Sequence, residues 1–458
     1  MQICRFYNFN NILDIKIYYY FSMFLRFCHI GYIFLSEIIK HNFSNFIYKF
    51  FTKLPTLKRL YLIKNITNRL ENINIVYLKI FQSIALDKNL LMDEEKDYLL
   101  KYSDNVPFTA ADLDYDVLEM LEKDFNIILQ ENEPLNSGIV SIVYKGIYGN
   151  STNKIVIKIL KKNIHTRIVE AFNDIESIIG FANIIPYIKN MNFDKILRDN
   201  KELLLNQTDF NQEAKNINIF REKNKNLPEY RIPEVYLDIT QKYPNVLVME
   251  NIKGLTFKDI EFKDPDIRDE FGKILMKFGY ISILYNSAIH CDMHPGNIFF
   301  YINSDDENNS GLPKYQLGII DFGICSFPDK NNQNAYYIFF NDINYNKDFR
   351  KIDTVLSVLI EEKDIYNNFD IEEKNSLKNE CIECLKKYLD TNFDIYYLIE
   401  ISSIFNSYGL TFSKEFNHLC LSLQVSNNLA LNLCKNVTQT EYRVMEELNR
   451  VNNLIQIA

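Results

Sequence analysis

Tryptophan is absent, although phenylalanine (34) and tyrosine (30) are abundant. Together with frequent Asn and Ile runs, this reads as coding bias and carries no functional message. A disulfide framework is also missing. Eight cysteines (Cys4, Cys28, Cys291, Cys325, Cys381, Cys384, Cys420 and Cys434) are scattered without regular spacing. That pattern excludes a stapled secreted domain and points to a reducing, intracellular compartment. Cys381 and Cys384 form a CxxC, but it sits in a helical pattern with no second pair, so a zinc ribbon is excluded. No short apolar core leads to a small-residue cleavage site, which argues against a secretory leader. No internal repeat is visible, so a solenoid is excluded.

What is present is a chain of 458 residues, 47% hydrophobic, enough for two or three folded domains. Its net charge of −9 is uneven. Residues 1–80 hold 11 Lys/Arg against three acids, a net of +8. A basic, aromatic head on an acidic body suits an anionic lipid surface better than nucleic acid; a plain solvated helix face is the alternative. The apolar stretch Ile17–Leu35 is just long enough to cross a bilayer core. Arg26 and His29 fall near its middle, and a central Arg costs about 2.5–3.5 kcal/mol in a span. The segment is therefore expected to lie at an interface or pack on a partner.

Periodicity then gives an order of elements. Residues 1–70 read as aromatic helices broken at Pro55, and 71–130 as further helices. Strand patterns follow at Pro134–Lys145 and Lys154–Leu160, with a hairpin at YGNSTN between them. Helices are expected from about His165 to Asn224. VYLDIT and NVLVME read as a second strand pair. Phe257–Asn286 is helical, NIFFYI and YQLGIID are short strands, and 335–458 is helical. The implied domains are a head (1–70), a helical extension (71–130), a small strand-rich lobe (131–253) and a large helical lobe (254–458). This is the order of an α+β, bilobal protein-kinase-like fold with an added N-terminal helical extension.

The residues with chemistry support that order. His290-Cys291-Asp292-Met293-His294-Pro295-Gly296-Asn297 precedes Asp321-Phe322-Gly323 by 24 residues. Phosphoryl transfer needs a carboxylate that orients the attacking group and hard oxygens that hold metal against phosphate. HxDxxxxN followed by DFG, each beside an apolar strand, supplies them: Asp292 and His290 as catalytic candidates, Asn297 and Asp321 as ligands for Mg²⁺. Lys158 ends the strand IVIK, where a lysine would grip ATP phosphates, and Glu213 is its candidate partner. Val246–Gly254 reads as a hinge whose Glu250 carbonyl and Ile252 amide would meet adenine. There is no GxGxxG; the loop over the phosphates would be Asn136-Ser137-Gly138-Ile139, with one glycine.

At these residues the chain resembles the UbiB family, the atypical kinase-like proteins of ubiquinone metabolism, over about residues 70–330. HCDMHPGNIFF matches the family's HxDxHPGN, LVMENIKG resembles its hinge, and Asp209-Phe210-Asn211-Gln212-Glu213-Ala214-Lys215-Asn216 its D-[FY]-x-x-E-A-x-N helix. The family's KxGQ motif corresponds to Lys79-Ile80-Phe81-Gln82, with Phe81 in place of glycine. Its ExD acid is Gln207 here, and its Ala-rich loop is Asn136–Ile139. The resemblance implies an atypical kinase or ATPase using ATP and Mg²⁺, acting in isoprenoid-lipid metabolism at a membrane. Protein-kinase activity is disfavoured, since no A-P-E follows Asp321. The departures at Phe81, Gln207 and the loop keep a catalytically weak ATP-binding regulator open as an alternative. An H-x-D-x-x-x-x-N small-molecule phosphotransferase is a further alternative.

Overall fold

The computed structural model describes residues 3–47, 58–87, 92–100, 106–149, 153–182, 193–303, 311–389 and 396–457. Pro55 lies outside them. The chain divides into two compact units: residues 1–210 with 238–248, and residues 211–237 with 249–458.

The first unit opens on one long helix, α1 (Ile3–Ile47). Helices α2 (Arg59–Glu71), α3 (Val76–Asp87), α4 (Asp93–Leu100) and α5 (Tyr115–Phe125) follow. An antiparallel sheet comes next: β1 (Ile127–Leu129), β2 (Asn136–Ser137), β3 (Ser141–Tyr148) and β4 (Lys154–Leu160). The β3–β4 hairpin turns at Gly149, whose φ of +66° suits a residue without Cβ. Strand alternation explains the pairing: β3 buries Ile142 and Tyr144 on one face, while β4 buries Ile155, Ile157 and Ile159. Helices α6 (Ile164–Ala182) and α7 (Phe193–Asn206) complete the unit's helical layer. A short strand β1 at Ile127–Leu129 lies where the sequence pattern suggested helix.

α1 has two faces. Ile30 and Ile33 are buried in a core shared with Leu70, Val76, Ile168 and Phe172. Arg26 also turns inward, donating through Nε to Asp174 Oδ2 at 2.8 Å. Tyr77 Oη donates to the same oxygen at 2.6 Å. Asp174 is fully buried, so this acceptor is satisfied by two donors from two other helices. The opposite face of α1 exposes Phe21, Phe24, Cys28, Tyr32, Leu35, Ile39, Phe43 and Phe46, spaced three or four apart as one helical stripe. Residues Phe21–Ile47 are long and apolar enough to cross a membrane by length and composition alone. Arg26, the charge that weighed against this stretch in the sequence, belongs to the protein-facing side.

The second unit begins with α8 (Phe210–Asn224), apart from its first residue, then β5 (Tyr230–Arg231). VYLDIT departs from the expected strand. Only Val235 makes an isolated bridge, to Met249, and Leu237–Lys242 is helix α9. Strand β6 (Val246–Glu250), read from the sequence as the hinge, has Val246–Met249 all buried; residues 238–248, with most of α9 and the start of β6, belong to the first unit. Strand β6 is followed by α10 (Phe257–Glu261) and α11 (Pro265–Ile281). Asp264 caps α11 by accepting from Asp266 N, with Pro265 at its first turn. A π-helical segment, Ser282–Asn286, leads to β7 (Ile289–His290). Strands β8 (Ile298–Ile302) and β9 (Tyr315–Ile319) pair antiparallel, with β5 parallel to β9; β10 (Cys325–Ser326) pairs with β7. Helices α12 (Lys330–Tyr337), α13 (Ile352–Leu359), α14 (Lys363–Asn368), α15 (Ile371–Leu389), α16 (Tyr396–Ser407), α17 (Lys414–Leu433) and α18 (Val437–Ile457) follow. They enclose a core that includes Phe339, Leu356, Phe405 and Phe416. Cys381 and Cys384 lie one turn apart on α15, both buried, as the helical reading of that CxxC required.

Candidate active site

The catalytic loop is organised around one imidazole. His290 ends β7 and is 2% exposed. Its Nδ1 accepts from Asp292 N at 3.2 Å, and its Nε2 lies 3.2 Å from the Ile320 carbonyl. A ring whose Nδ1 accepts must carry its proton on Nε2, so Nε2 donates to Ile320. Burial lowers the His290 pKa, opposed by the nearby Asp292 and Asp321 carboxylates. The neutral tautomer that this favours is the one the two hydrogen bonds need. One side chain thereby fixes the backbone at Asp292 and the residue directly before Asp321.

Asp321 has φ +60°, the left-handed region, which costs a non-glycine residue about 1–3 kcal/mol. Gly323 N reaches back to its Oδ1 at 3.3 Å. The following Phe322 is fully buried, its ring 4.9 Å from both His290 and Phe220. Phe322 thus anchors the turn, while the strained residue before it carries the carboxylate.

Asn297 sits in a single 3₁₀ turn, Pro295–Asn297, capped by His294, whose Nδ1 accepts from Gly296 N at 3.1 Å. Its Nδ2 donates to the Asp292 carbonyl at 2.9 Å. That bond directs Oδ1 to the other side of the carboxamide. His294 Nε2 lies 3.8 Å from Asp292 Oδ2. Every position of HxDxHPGN is thereby accounted for. His290, Asp292, Asn297 and Asp321, named from sequence, are brought together here. Cys291, between them, is pushed up to about 12 by burial, so its thiol is not a nucleophile.

Glu213 and Asn216 come from α8 of the same unit and are 3% exposed. Asn216 Nδ2 donates to the Phe322 carbonyl at 2.8 Å, and Gln212 Nε2 to Asn216 Oδ1 at 2.9 Å. The EAxN helix therefore holds the DFG turn through Asn216. Sequence reasoning quoted Asn216 without that role, and it missed Phe220. The signal was available: 213, 216 and 220 follow the spacing of one helix face. Ser422 of α17 donates to the His290 carbonyl at 2.7 Å, and no pattern in the sequence marks it.

At the hinge, Glu250 is held by Arg231 Nη2 at 2.9 Å, and its amide donates to the Glu234 carbonyl at 2.8 Å. Ile252 is 5% exposed. A Cβ on Gly254 would meet the Phe300 carbonyl oxygen at 2.9 Å, so this linker residue must lack one.

The remaining candidates belong to the first unit. Lys158 is 8% exposed, with Nζ 5.7 Å from the centre of the Phe210 ring. A lysine and a carboxylate this buried, Lys158 and Glu213, persist only when each is compensated. Ser137 is fully buried, and its carbonyl accepts from Val106 N at 2.6 Å. Gly138 N donates to Ser141 O at 2.9 Å, closing a tight turn after Asn136–Ser137. The helical extension is pinned to this loop and to the strand end. Lys162 N donates to Asp112 O at 3.0 Å, and Arg167 pairs with Asp112 at 2.5 Å. On α3, Lys79 is half-buried; the Gln82 side chain lies outside the described residues. Phe81, at the KxGQ glycine position, packs with Ile63 and Leu99, its ring 6.4 Å from that of Phe34.

The donors suit a hard cation. The carboxamide oxygen of Asn297 and the carboxylate of Asp321 are the oxygen types that Mg²⁺ takes. Among the described residues, no cluster of three or more His, Cys, Asp and Glu exists that could hold a metal by itself.

The chain is similar to curated proteins over much of its length. "Probable protein kinase UbiB" of Aliivibrio salmonicida and of Shewanella baltica are each 26% identical over 299 residues. The match covers 62% of this chain and 51% of each relative, so the chain spans about half the length of the proteins it matches. Among solved structures, the Rv3197–erythromycin complex of Mycobacterium tuberculosis aligns with a TM-score of 0.43 and 17% identity. That alignment covers 79% of this chain and 90% of the other. The profile of the ABC1 atypical kinase-like domain matches residues 102–356, more than half of the chain and the whole stretch from the phosphate loop through DFG. The chain that folds around His290 in this way is a member of the ABC1 (UbiB-type) atypical kinase family.

Proposed function

We propose that the protein binds ATP with Mg²⁺ and acts as an atypical kinase or ATPase in isoprenoid-lipid, ubiquinone-type metabolism at a membrane surface. The observation that carries the nucleotide reading is the His290 arrangement, in which one neutral imidazole sets both the Asp292 and the Asp321 backbones. Asn297 and Asp321 would hold the metal, and the bound metal would supply charge neutralisation at the phosphates. Asp292 would orient the attacking hydroxyl or water, with His294 beside it. Lys158 would neutralise phosphate charge from strand β4.

The membrane part rests on the exposed stripe of α1, on the +8 charge of residues 1–80 and on the inward turn of Arg26. The pathway part rests on the resemblance to the UbiB family at HxDxHPGN and the EAxN helix. A second reading, an ATP-binding regulator with little turnover, is favoured by Gln207 at the family's acid position and by the single-glycine loop.

ATP hydrolysis by the full chain, with and without anionic lipid vesicles, separates the two. Metal-dependent turnover that falls at least a hundredfold in Asp292→Asn, with ATP binding retained, supports the enzyme. Tight ATP binding without turnover in the wild type under all lipid conditions supports the regulator.

A further inference from the structure

Beneath the catalytic loop, the second unit contains a cavity of about 80 Å³. Its walls are mainly apolar: Leu275, Phe278, Ile283, Leu398, Leu423 and Ala430. His290 and Met293 of the catalytic loop line it as well. Polar groups interrupt the apolar lining, among them Tyr280, Ser282 and Glu441. Glu441 of α18 is 8% exposed and accepts a hydrogen bond from Tyr280 Oη. Ser282 is 2% exposed, and its Oγ has no hydrogen-bond partner. Buried hydroxyls are nearly always satisfied, so an orphan that lines a cavity is open to an oxygen-bearing occupant, a ligand or a water. Ser282 also opens the π-helical segment Ser282–Asn286, a helix form found mostly at functional sites.

We infer that this cavity is a second ligand site, taking a compact aliphatic molecule or chain end that carries one oxygen, a hydroxyl or carbonyl, and that its occupancy acts on the catalytic loop. Apolar walls with few convergent polar groups are the usual make-up of a small-molecule pocket. Size limits the occupant: an engineered cavity of ~150 Å³ takes benzene, so this one takes a smaller body. Ser282 Oγ would meet the ligand oxygen, with the Glu441–Tyr280 pair as the second polar contact. Coupling to the active site has a short route. His290 and Met293 form part of the wall, and Ser422, also in the wall, donates to the His290 carbonyl. Binding in the cavity stands apart from the nucleotide reading; only the coupling rests on it.

Ligand-observed NMR on the full chain, without nucleotide, tests the site with ethanol and propan-1-ol and the matched alkanes. Saturable alcohol binding is expected in the wild type and at least a tenfold loss in Ala430→Leu, which fills the cavity. Ser282→Ala, a variant with little cost to folding, is expected to abolish the preference for alcohol over alkane. Competition by a long-chain alcohol would assign the site to a lipid chain end; no competition would assign it to a free small molecule. Equal binding to wild type and both variants, or no saturable binding to wild type, overturns the proposal. In the coupling arm, a saturating alkanol is expected to shift ATP affinity at least threefold in the wild type and not in Ala430→Leu. Alcohol binding with no such shift removes the action on the catalytic loop and leaves the site.

Discussion

Asp321 combines two properties that a substitution can separate, a charge and a left-handed backbone. Asn tolerates φ near +60° better than most residues, so Asp321→Asn removes the carboxylate without further strain. The fold is expected to survive it, with melting unchanged within a few degrees, while metal-dependent nucleotide binding is lost. At Asn216 the expectation differs. Asn216→Ala leaves the buried Phe322 carbonyl without its donor, a cost of about 1–3 kcal/mol. Calorimetric melting should show that loss, and ATP affinity should fall with it because the DFG turn loosens.

Glu441 gives a pH prediction. Burial raises its carboxyl from 4.5 to about 7, while the Tyr280 bond and Lys347 pull the other way. Between those two values the folded state keeps a proton that the unfolded state has released. Stability therefore falls as pH rises from about 4.5 to 7, and then levels off. The full effect is about 3 kcal/mol at most. Denaturant titrations of Glu441→Gln should lose this slope; an unchanged slope would place the titration elsewhere.

Elements show where sequence legibility ended. HxDxHPGN was readable because its residue types are set by local hydrogen bonds: His290 to Asp292 N, His294 to Gly296 N, Asn297 to the Asp292 carbonyl. The β3–β4 hairpin was readable from alternation and its turn. Leu237–Lys242 was misread as strand because a six-residue helix packed by Ile239 shows too few turns for its period to emerge. The two-residue strands β5, β7 and β10 carry no period at all. Their pairing is set by distant partners, as with Tyr230 beside Leu317. Ser422 was invisible for the same reason, lying 132 residues from its acceptor. The partner of Arg26 was invisible as well, because Asp174 is 148 residues away. Asp174→Ala should uncover what that pairing contributes. It leaves the Tyr77 hydroxyl without its acceptor and Arg26 with only Glu170 and Ser22, with about 1–3 kcal/mol of destabilisation expected on thermal melting.

For the whole molecule, the membrane proposal and the nucleotide proposal make separate claims. Charge placed on the outer stripe of α1, as Leu35→Asp with Phe43→Asp, should abolish co-sedimentation with anionic vesicles. It should leave melting temperature unchanged, because those side chains are exposed.

Nucleotide binding is the central claim, and thermal shift with ATP and Mg²⁺, on wild type and on Asp321→Asn, tests it most directly. A ligand at 100 times its dissociation constant stabilises a fold by about 2.7 kcal/mol. The expected result is a rise in melting temperature that needs both ATP and Mg²⁺ in the wild type and vanishes in the variant. No rise in well-folded wild type, or an equal rise in Asp321→Asn, would contradict it.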